Sequence, residues 1–297
     1  MTPSQTTSTS TAPSSTLSSS AEPAWSNDDL KNNPHAAADK ARRVQQMFCA
    51  IAPSYDLNNR LHSMGRDQAW RRAAVKMAQI RPGDVVLDVA CGTGDLSMAF
   101  QEGGAACVIG VDFTYEMLAV AEKKKVPGSE FKVLSSKPDH SSLAAGSSQL
   151  GTQNSELKTF PLSYHTGDAM RLPVADASVD VVSIAFGIRN VALPERAIAE
   201  FFRVLRPGGR LIILEFSLPT NAVLRGLYNF YFKHIMPRTA TLIARDKSGA
   251  YKYLPRSVNT FINRETLTTM MREAGFVEPA QKTVTFGIAV IYRGIKA

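Results

Sequence analysis

From about Lys40 the chain alternates between helical and extended hydrophobic spacing. Residues 40–52 and 64–80 carry helical periodicity, the second with Trp70, Ala74, Met77 and Ala78 on one face. Arg81, Pro82, Gly83 and Asp84 break that pattern, and the apolar run 85–90 predicts a short buried strand. A glycine-containing turn, 91–94, leads into a helix that begins near Asp95. A second strand over 106–111 ends at Asp112, before a helix with Met117, Leu118 and Ala121 inward. Further strands are expected near 163–166, 179–186 and 210–216, with a helix over 193–205 and a tight turn at Arg206, Pro207, Gly208 and Gly209. An aromatic-rich helical stretch, 221–237, precedes a helix at 264–274 and two last strands near 277–285 and 287–293. Strands alternating with helices predict an α/β fold, a mostly parallel seven-stranded sheet covered on both faces. No internal repeat is present.

Composition changes this picture at two places. Residues 1–20 hold eight Ser and six Thr and no charge, too little apolar surface to offset ordering entropy, so 1–40 reads as a disordered tail. Residues 41–297 then form one domain, ample for a full core. Its rhythm is interrupted at 134–159 by Ser, Gly, Gln and Asn, which predicts a surface-loop insertion. No apolar run approaches the ~18 residues of a membrane span, and the start lacks secretory or Arg-rich transit features. Cys49, Cys91 and Cys107 form no CxxC pair, which argues against disulfides or a zinc site and for a cytoplasmic setting.

The net charge of +8 is uneven, with fifteen Lys and Arg against six Asp and Glu in residues 200–297. Such a basic region suits an anionic partner, a membrane surface or a nucleic acid.

The strongest chemical signal is the run from Val86 to Asp95 around Cys91, Gly92, Thr93 and Gly94. A buried strand, glycine turn and helix aim backbone amides at a crevice. A dinucleotide fingerprint would want Gly or Ala three residues after Gly94, where Ser97 stands. Asp112, twenty positions after Gly92, suits ribose hydroxyls, which NAD and S-adenosylmethionine share. Asp88 and Asp95 would repel a pyrophosphate but favour a sulfonium-bearing cofactor, so S-adenosylmethionine is preferred. Asp168 and Ala169 follow the third strand, where an acid and an amide can meet an adenine; an N-cap role for Asp168 is the alternative, and its place after a strand and before Leu172 and Pro173 favours the adenine.

Several segments resemble the UbiE-type ubiquinone/menaquinone biosynthesis C-methyltransferases: 47–61, 88–96, 112–118, 186–191, 203–211, 214–217, 251–254 and 274–276. The resemblance covers about 41–297 outside the 134–159 insertion and implies a Rossmann-like class I S-adenosylmethionine-dependent methyltransferase. By that resemblance Gly92, Thr93, Gly94 and Asp112 bind the amino-acid and ribose parts of the cofactor. Asp168 and Ala169 take the adenine, and Phe113 or Met117 packs on the ring. Arg189 and Asn190 are the expected catalytic pair, and Tyr55, Asn59 and Arg60 are expected to close over the acceptor. The sequence departs from the family at Ala185, often Ser, with Ser183 two residues away, and at Arg256, usually acidic.

The implied acceptor is a reduced polyprenylated quinone precursor, methylated on carbon. Arginine is a poor base, with a pKa above ~12, so Arg189 is expected to stabilise a phenolate while water or a carboxylate takes the proton. Leu224, Leu227, Tyr228, Tyr231, Phe232 and Ile235 have helical spacing, which fits either a core face or an apolar surface for a prenyl tail. Peripheral contact with the inner face of the cytoplasmic membrane is expected, a homodimer is compatible, and no nucleic-acid-binding module is recognisable. The competing readings are a same-fold methyltransferase for another small acceptor and a non-catalytic cofactor-binding scaffold. No metal is expected.

Overall fold

The computed structural model describes residues 23–125 and 162–297; the expected insertion at 134–159 and the first 22 residues lie outside them. Seven strands form one sheet: β1 (Val85–Val89), β2 (Cys107–Asp112), β3 (Leu162–Thr166), β4 (Val179–Ala185), β5 (Leu205–Phe216), β6 (Phe276–Val284) and β7 (Ala289–Lys296). Their order is β3-β2-β1-β4-β5-β7-β6. The first five are parallel, and β7 runs antiparallel to both β5 and β6. β1 is an internal strand, and its Val86, Leu87 and Val89 are buried on both faces of the sheet.

Helices α3 (Arg66–Ala78) and α4 (Asp95–Glu102) cover one face through Trp70, Ala74, Leu96 and Phe100. On the other lie α6 (Pro194–Val204) and α10 (Arg264–Glu273), through Ala197, Ile198, Phe201, Leu267 and Met271. The inward side chains of α6 recur at helical spacing, and Pro194 fits its first turn, where no amide partner is needed. The glycine turn and α4 pack closely on β3. Gly94 has φ of +81°, and a Cβ there would meet the Tyr164 ring.

A third core forms a cap. It joins α1 (Lys40–Ile51) and α2 (Tyr55–His62) to α7 (Ala222–Phe230), a π-helical turn (Tyr231–Ile235), α8 (Met236–Ala244) and α9 (Ala250–Thr260). α5 (Tyr115–Lys124) contributes Met117 to it.

Two expectations are corrected here. The ordered unit does not begin at residue 41: Trp25 is buried, stacks on Tyr253 at 4.7 Å and donates its backbone amide to Ser248. Arg256 binds the carbonyls of Lys31 and Asn32, and Arg43 pairs with Asp29, so 23–40 is fastened across the cap. Trp25 supplies a buried aromatic anchor in an otherwise polar stretch, and these bonds hold the rest. The turn 206–209 is also not separate from its strand. Pairing of β5 starts at Leu205 with a register shift opposite Val179 and Val181, and Arg210 is buried against Asp84 and the carbonyls of Ala78 and Gln79.

Candidate active site

Strand order reverses between β1 and β4, and the loops after β1, β2 and β4 meet at that switch point. An open cavity of about 830 Å³ lies there, lined by Gly92, Asp112, Phe113, Met117, Asp168, Ala169 and Asn190, with Val44, Phe48 and Tyr55 closing it from the cap. A second cavity, of about 1560 Å³, lies alongside and shares Phe48, Tyr55 and Phe186 with the first.

In the first cavity Asp112 holds the turn as well as facing the space. Its oxygens accept the Gly92 and Thr114 amides, both at 2.8 Å, and burial raises its pKa. The Asp168 carboxylate closes its own turn by accepting the Met170 amide at 2.9 Å while lining the cavity. A buried acid at the end of β2, apolar side chains at Phe113 and Met117 and an open glycine turn fit the ribose, adenine and amino-acid parts of S-adenosylmethionine.

Three residues expected at the cofactor do other work. Asp88 sits behind the turn, where Ser97 and Ser183 donate to its two oxygens at 2.6 and 2.7 Å. Burial pushes its pKa up to about 6. That bond also occupies Ser183, which therefore does not replace the hydroxyl missing at Ala185, and explains Ser97 in the third-glycine position. Thr93 donates to Asp56 at 2.6 Å, and Gly94 supplies the left-handed turn rather than a wall of the cavity. Thr93 belongs to a clip in which Lys124 bridges Asp56 and Asp95. Arg60 bridges Asp95 and Asp67 in the same clip, so it fastens α2 rather than lining either cavity.

Arg189 and Asn190 part company: Asn190 lines the first cavity and Arg189 the second. Arg189 is buried, donating to Glu215 at 2.7 Å and to the Phe186 carbonyl at 2.5 Å, with its guanidinium 5.2 Å from the Phe216 ring centre. Asn190 donates to the same carbonyl and accepts from the Tyr253 hydroxyl at 3.0 Å. Phe186 itself has φ of +56°, a strained value for a bulky residue, held by these bonds. Lys40, buried, donates to the Val191 carbonyl at 2.6 Å and ties α1 to the same loop; burial lowers its pKa to about 8.

The second cavity is walled by Trp70, Phe186, Phe216, Tyr228, Phe232 and Tyr251, with Tyr55 and Asn59 on the α2 side. Polar atoms of Asn58, His62, Arg71, Arg189, Tyr228 and Tyr251 around it are buried without partners among the described residues. Such a cavity fits a ligand that is mostly apolar and carries a few oxygens. Burial raises the pKa of Tyr55, Tyr228 and Tyr251, so these phenols stay protonated near neutral pH and act as donors. Burial lowers that of His62. His62, Trp70 and Glu215 were not singled out from sequence as site residues. Glu215 falls in the family-like segment 214–217, but nothing local in the sequence shows that it meets Arg189 across 26 positions.

Solved structures share this architecture at low identity. A chain of the complex between the Haloferax volcanii Trm112 methyltransferase activator and a methyltransferase is 17% identical, with a TM-score of 0.53 over 84% of this chain and 96% of that one. A SAM-dependent methyltransferase of Thermotoga maritima is 19% identical, with a TM-score of 0.54 over 86% of this chain and 100% of the other. The fold shared with them is the Rossmann-like class I architecture, with the first cavity at its switch point.

The family follows from sequence. Residues 36–138 and 126–296 match the ubiE/COQ5 methyltransferase family. A demethylmenaquinone methyltransferase of Deinococcus radiodurans is 40% identical over 259 residues, 87% of this chain and 94% of the relative. A ubiquinone/menaquinone biosynthesis C-methyltransferase UbiE of Geobacter sulfurreducens is 38% identical over 270 residues, 90% of this chain and 94% of the relative. The chain belongs to the ubiE/COQ5 methyltransferase family.

Proposed function

We propose that the protein methylates a ring carbon of a reduced, polyprenylated quinone precursor: demethylmenaquinol, the methoxy-polyprenyl-benzoquinol of ubiquinone synthesis, or both. The observation that carries this reading is the aromatic cavity of about 1560 Å³ that adjoins the cofactor cavity and has Arg189 in its wall. The names of the relatives, demethylmenaquinone methyltransferase and ubiquinone/menaquinone C-methyltransferase, support the same acceptor class.

When bound, S-adenosylmethionine supplies a methyl group already activated by its sulfonium. Asp112 would accept from the ribose hydroxyls, Phe113 and Met117 would pack on the adenine, Asp168 and Ala169 would meet its edge, and Gly92 would leave room for the amino-acid end. The acceptor ring, held between Tyr55, Phe186 and Phe216, becomes nucleophilic when its phenolic proton leaves to water or a carboxylate. The ring carbon takes the methyl as the bond to sulfur breaks, leaving a neutral thioether, and then gives up its own proton to water so that the ring is aromatic again. Arg189 keeps its own proton and stabilises the phenolate, while Glu215 and the Phe186 carbonyl fix the guanidinium. Asn190 positions the loop. Because the two cavities share walls at Phe48, Tyr55 and Phe186, an acceptor held in one would face a cofactor held in the other, and positioning would remove part of the barrier.

A prenyl tail leaving past exposed Leu57, Leu61, Met64 and Phe286 would meet lipid. Among the described residues no helix is long and apolar enough to cross a membrane, and peripheral contact with the inner face of the cytoplasmic membrane suits such an acceptor.

The test is transfer of labelled methyl from S-adenosylmethionine to short-tailed demethylmenaquinol and to the benzoquinol, side by side. Label on one ring assigns the pathway and label on both a dual role. Label on neither, with cofactor binding intact, would sink this reading in favour of another acceptor or a scaffold role.

A further inference from the structure

Residues 217–260 carry seven Lys and Arg and one acidic residue, Asp246. Four of the seven, Lys233, Arg238, Lys252 and Arg256, line one open cavity of about 1270 Å³ between the π-helical turn, α8, α9 and the N-terminal segment. No carboxylate lines it. The bonds these cations make go to neutral oxygens: Arg238 to the His234 carbonyl, Lys252 to Asn27 Oδ1, and Arg256 to the Lys31 and Asn32 carbonyls. Among the described residues none of the four has an ion-pair partner, whereas Arg43, Lys124, Arg203 and Arg210 each do. Four like charges gathered in one concave space repel one another, and an anion entering it relieves that repulsion.

Two further features specify the anion. Phe232 is a wall of both this cavity and the aromatic acceptor cavity, so the two lie back to back around the π-helical turn. The adjoining helices leave large apolar side chains in solvent: Val223 (71% exposed), Leu227 (64%) and Phe230 (60%) on α7 and Leu242 (79%) on α8. Cations beside unpartnered aliphatic side chains are the pattern of a surface lying at a lipid interface, where charge meets headgroups and side chains enter the acyl region. A nucleic acid would ask for stacking surfaces, and only Phe230 among these four is aromatic.

We propose that the Lys233–Arg238–Lys252–Arg256 cavity binds the phosphate of an anionic phospholipid, seating the α7–α8 face on the bilayer with the acceptor cavity beside it. The proposal rests on the quinol reading, since a prenylated acceptor is what makes a lipid-facing cap useful. Its chemistry, phosphate recognition, is shared with free phosphate, and the experiment separates the two.

Full-length protein is sedimented with phosphatidylcholine vesicles and with vesicles that also contain phosphatidylglycerol, for wild type and for the double variant Lys233→Gln/Arg238→Gln. Binding is expected only to the phosphatidylglycerol vesicles, to weaken with salt, and to fall roughly thirtyfold in the double variant, from the contribution of two cations near an anionic surface. A control, Arg72→Gln/Lys76→Gln on α3, removes the same charge elsewhere and should fall by far less. Unaltered S-adenosylmethionine affinity shows that each variant is folded. An equal fall in both double variants would overturn the proposal by reducing the effect to net charge. Vesicle binding unaffected by Lys233→Gln/Arg238→Gln would overturn it too, and would assign the cavity to free phosphate if titrated inorganic phosphate still bound there in wild type alone. Binding of RNA in preference to vesicles would also contradict it. No acceptor is present in this assay, so its failure leaves the quinol reading untouched.

Discussion

Phe186 concentrates what the site asks of single residues. Its backbone is strained, and its carbonyl receives both Arg189 and Asn190, so one peptide group places a side chain in each cavity. Removing Arg189 outright would strand the buried Glu215 carboxylate, a loss of about 3–5 kcal/mol in stability. Arg189→Lys keeps the charge without the planar fork. For that variant we expect cofactor affinity within about threefold of wild type and a kcat lower by about a hundredfold, the usual scale for a lost oxyanion contact. Unchanged turnover would remove Arg189 from the chemistry.

Asp112→Ala should raise the S-adenosylmethionine dissociation constant by about a hundredfold, because two hydroxyls lose a charged acceptor at about 1.5 kcal/mol or more each. Calorimetry reads it, and an unaltered constant would refute the placement of the ribose. Asp88 makes a prediction about pH. Its folded pKa of about 6 lies above the ordinary 3.8, so the fold favours the protonated form. The stability this contributes is complete below about pH 4 and is lost as pH rises through about 6, amounting to about 3 kcal/mol at ~1.4 kcal/mol per unit. Denaturant unfolding of Asp88→Asn should lack that loss between pH 4 and 6; a parallel pH profile in both proteins would contradict it.

At the scale of elements, strands and sheet-covering helices are legible because each obeys its own period. The apolar positions of β1, β4 and α6 follow the strand and helix periods and are buried in the sheet's two cores. The cap is less legible. α9 contains Pro255, which ordinarily argues against a helix interior, and α2 is polar with only Asn58 buried. Both are held by tertiary bonds, α2 by the Asp56, Thr93, Lys124 and Arg60 clip. In the 221–237 stretch Tyr228, Tyr231 and Phe232 line the second cavity while Leu227 and Phe230 are exposed. At the candidate site, the glycine turn and Asp112 are readable because the strand–turn–helix order fixes them. The diversion of Asp88, Thr93 and Arg60 depends on partners far along the chain. Trp25 is the clearest case of a residue whose weight shows only in three dimensions, and Trp25→Ala should cost about 3–5 kcal/mol. Thermal unfolding within about a degree of wild type would show that the N-terminal segment is dispensable.

For the whole molecule, the sheet supplies the first cavity and the cap most of the second, and the proposed function puts methyl transfer where the two share Phe48, Tyr55 and Phe186. The basic charge of the last hundred residues is gathered partly on this cap. Chemistry through a phenolate requires a reduced acceptor, because the ring carbon of an oxidised quinone is electrophilic rather than nucleophilic. The most direct test is therefore transfer of labelled methyl from S-adenosylmethionine to one short-tailed acceptor presented in its reduced and oxidised forms under anaerobic conditions. We predict label on a ring carbon of the quinol and none on the quinone. Label on a ring oxygen, or equal labelling of both forms, would contradict a phenolate-driven C-methylation.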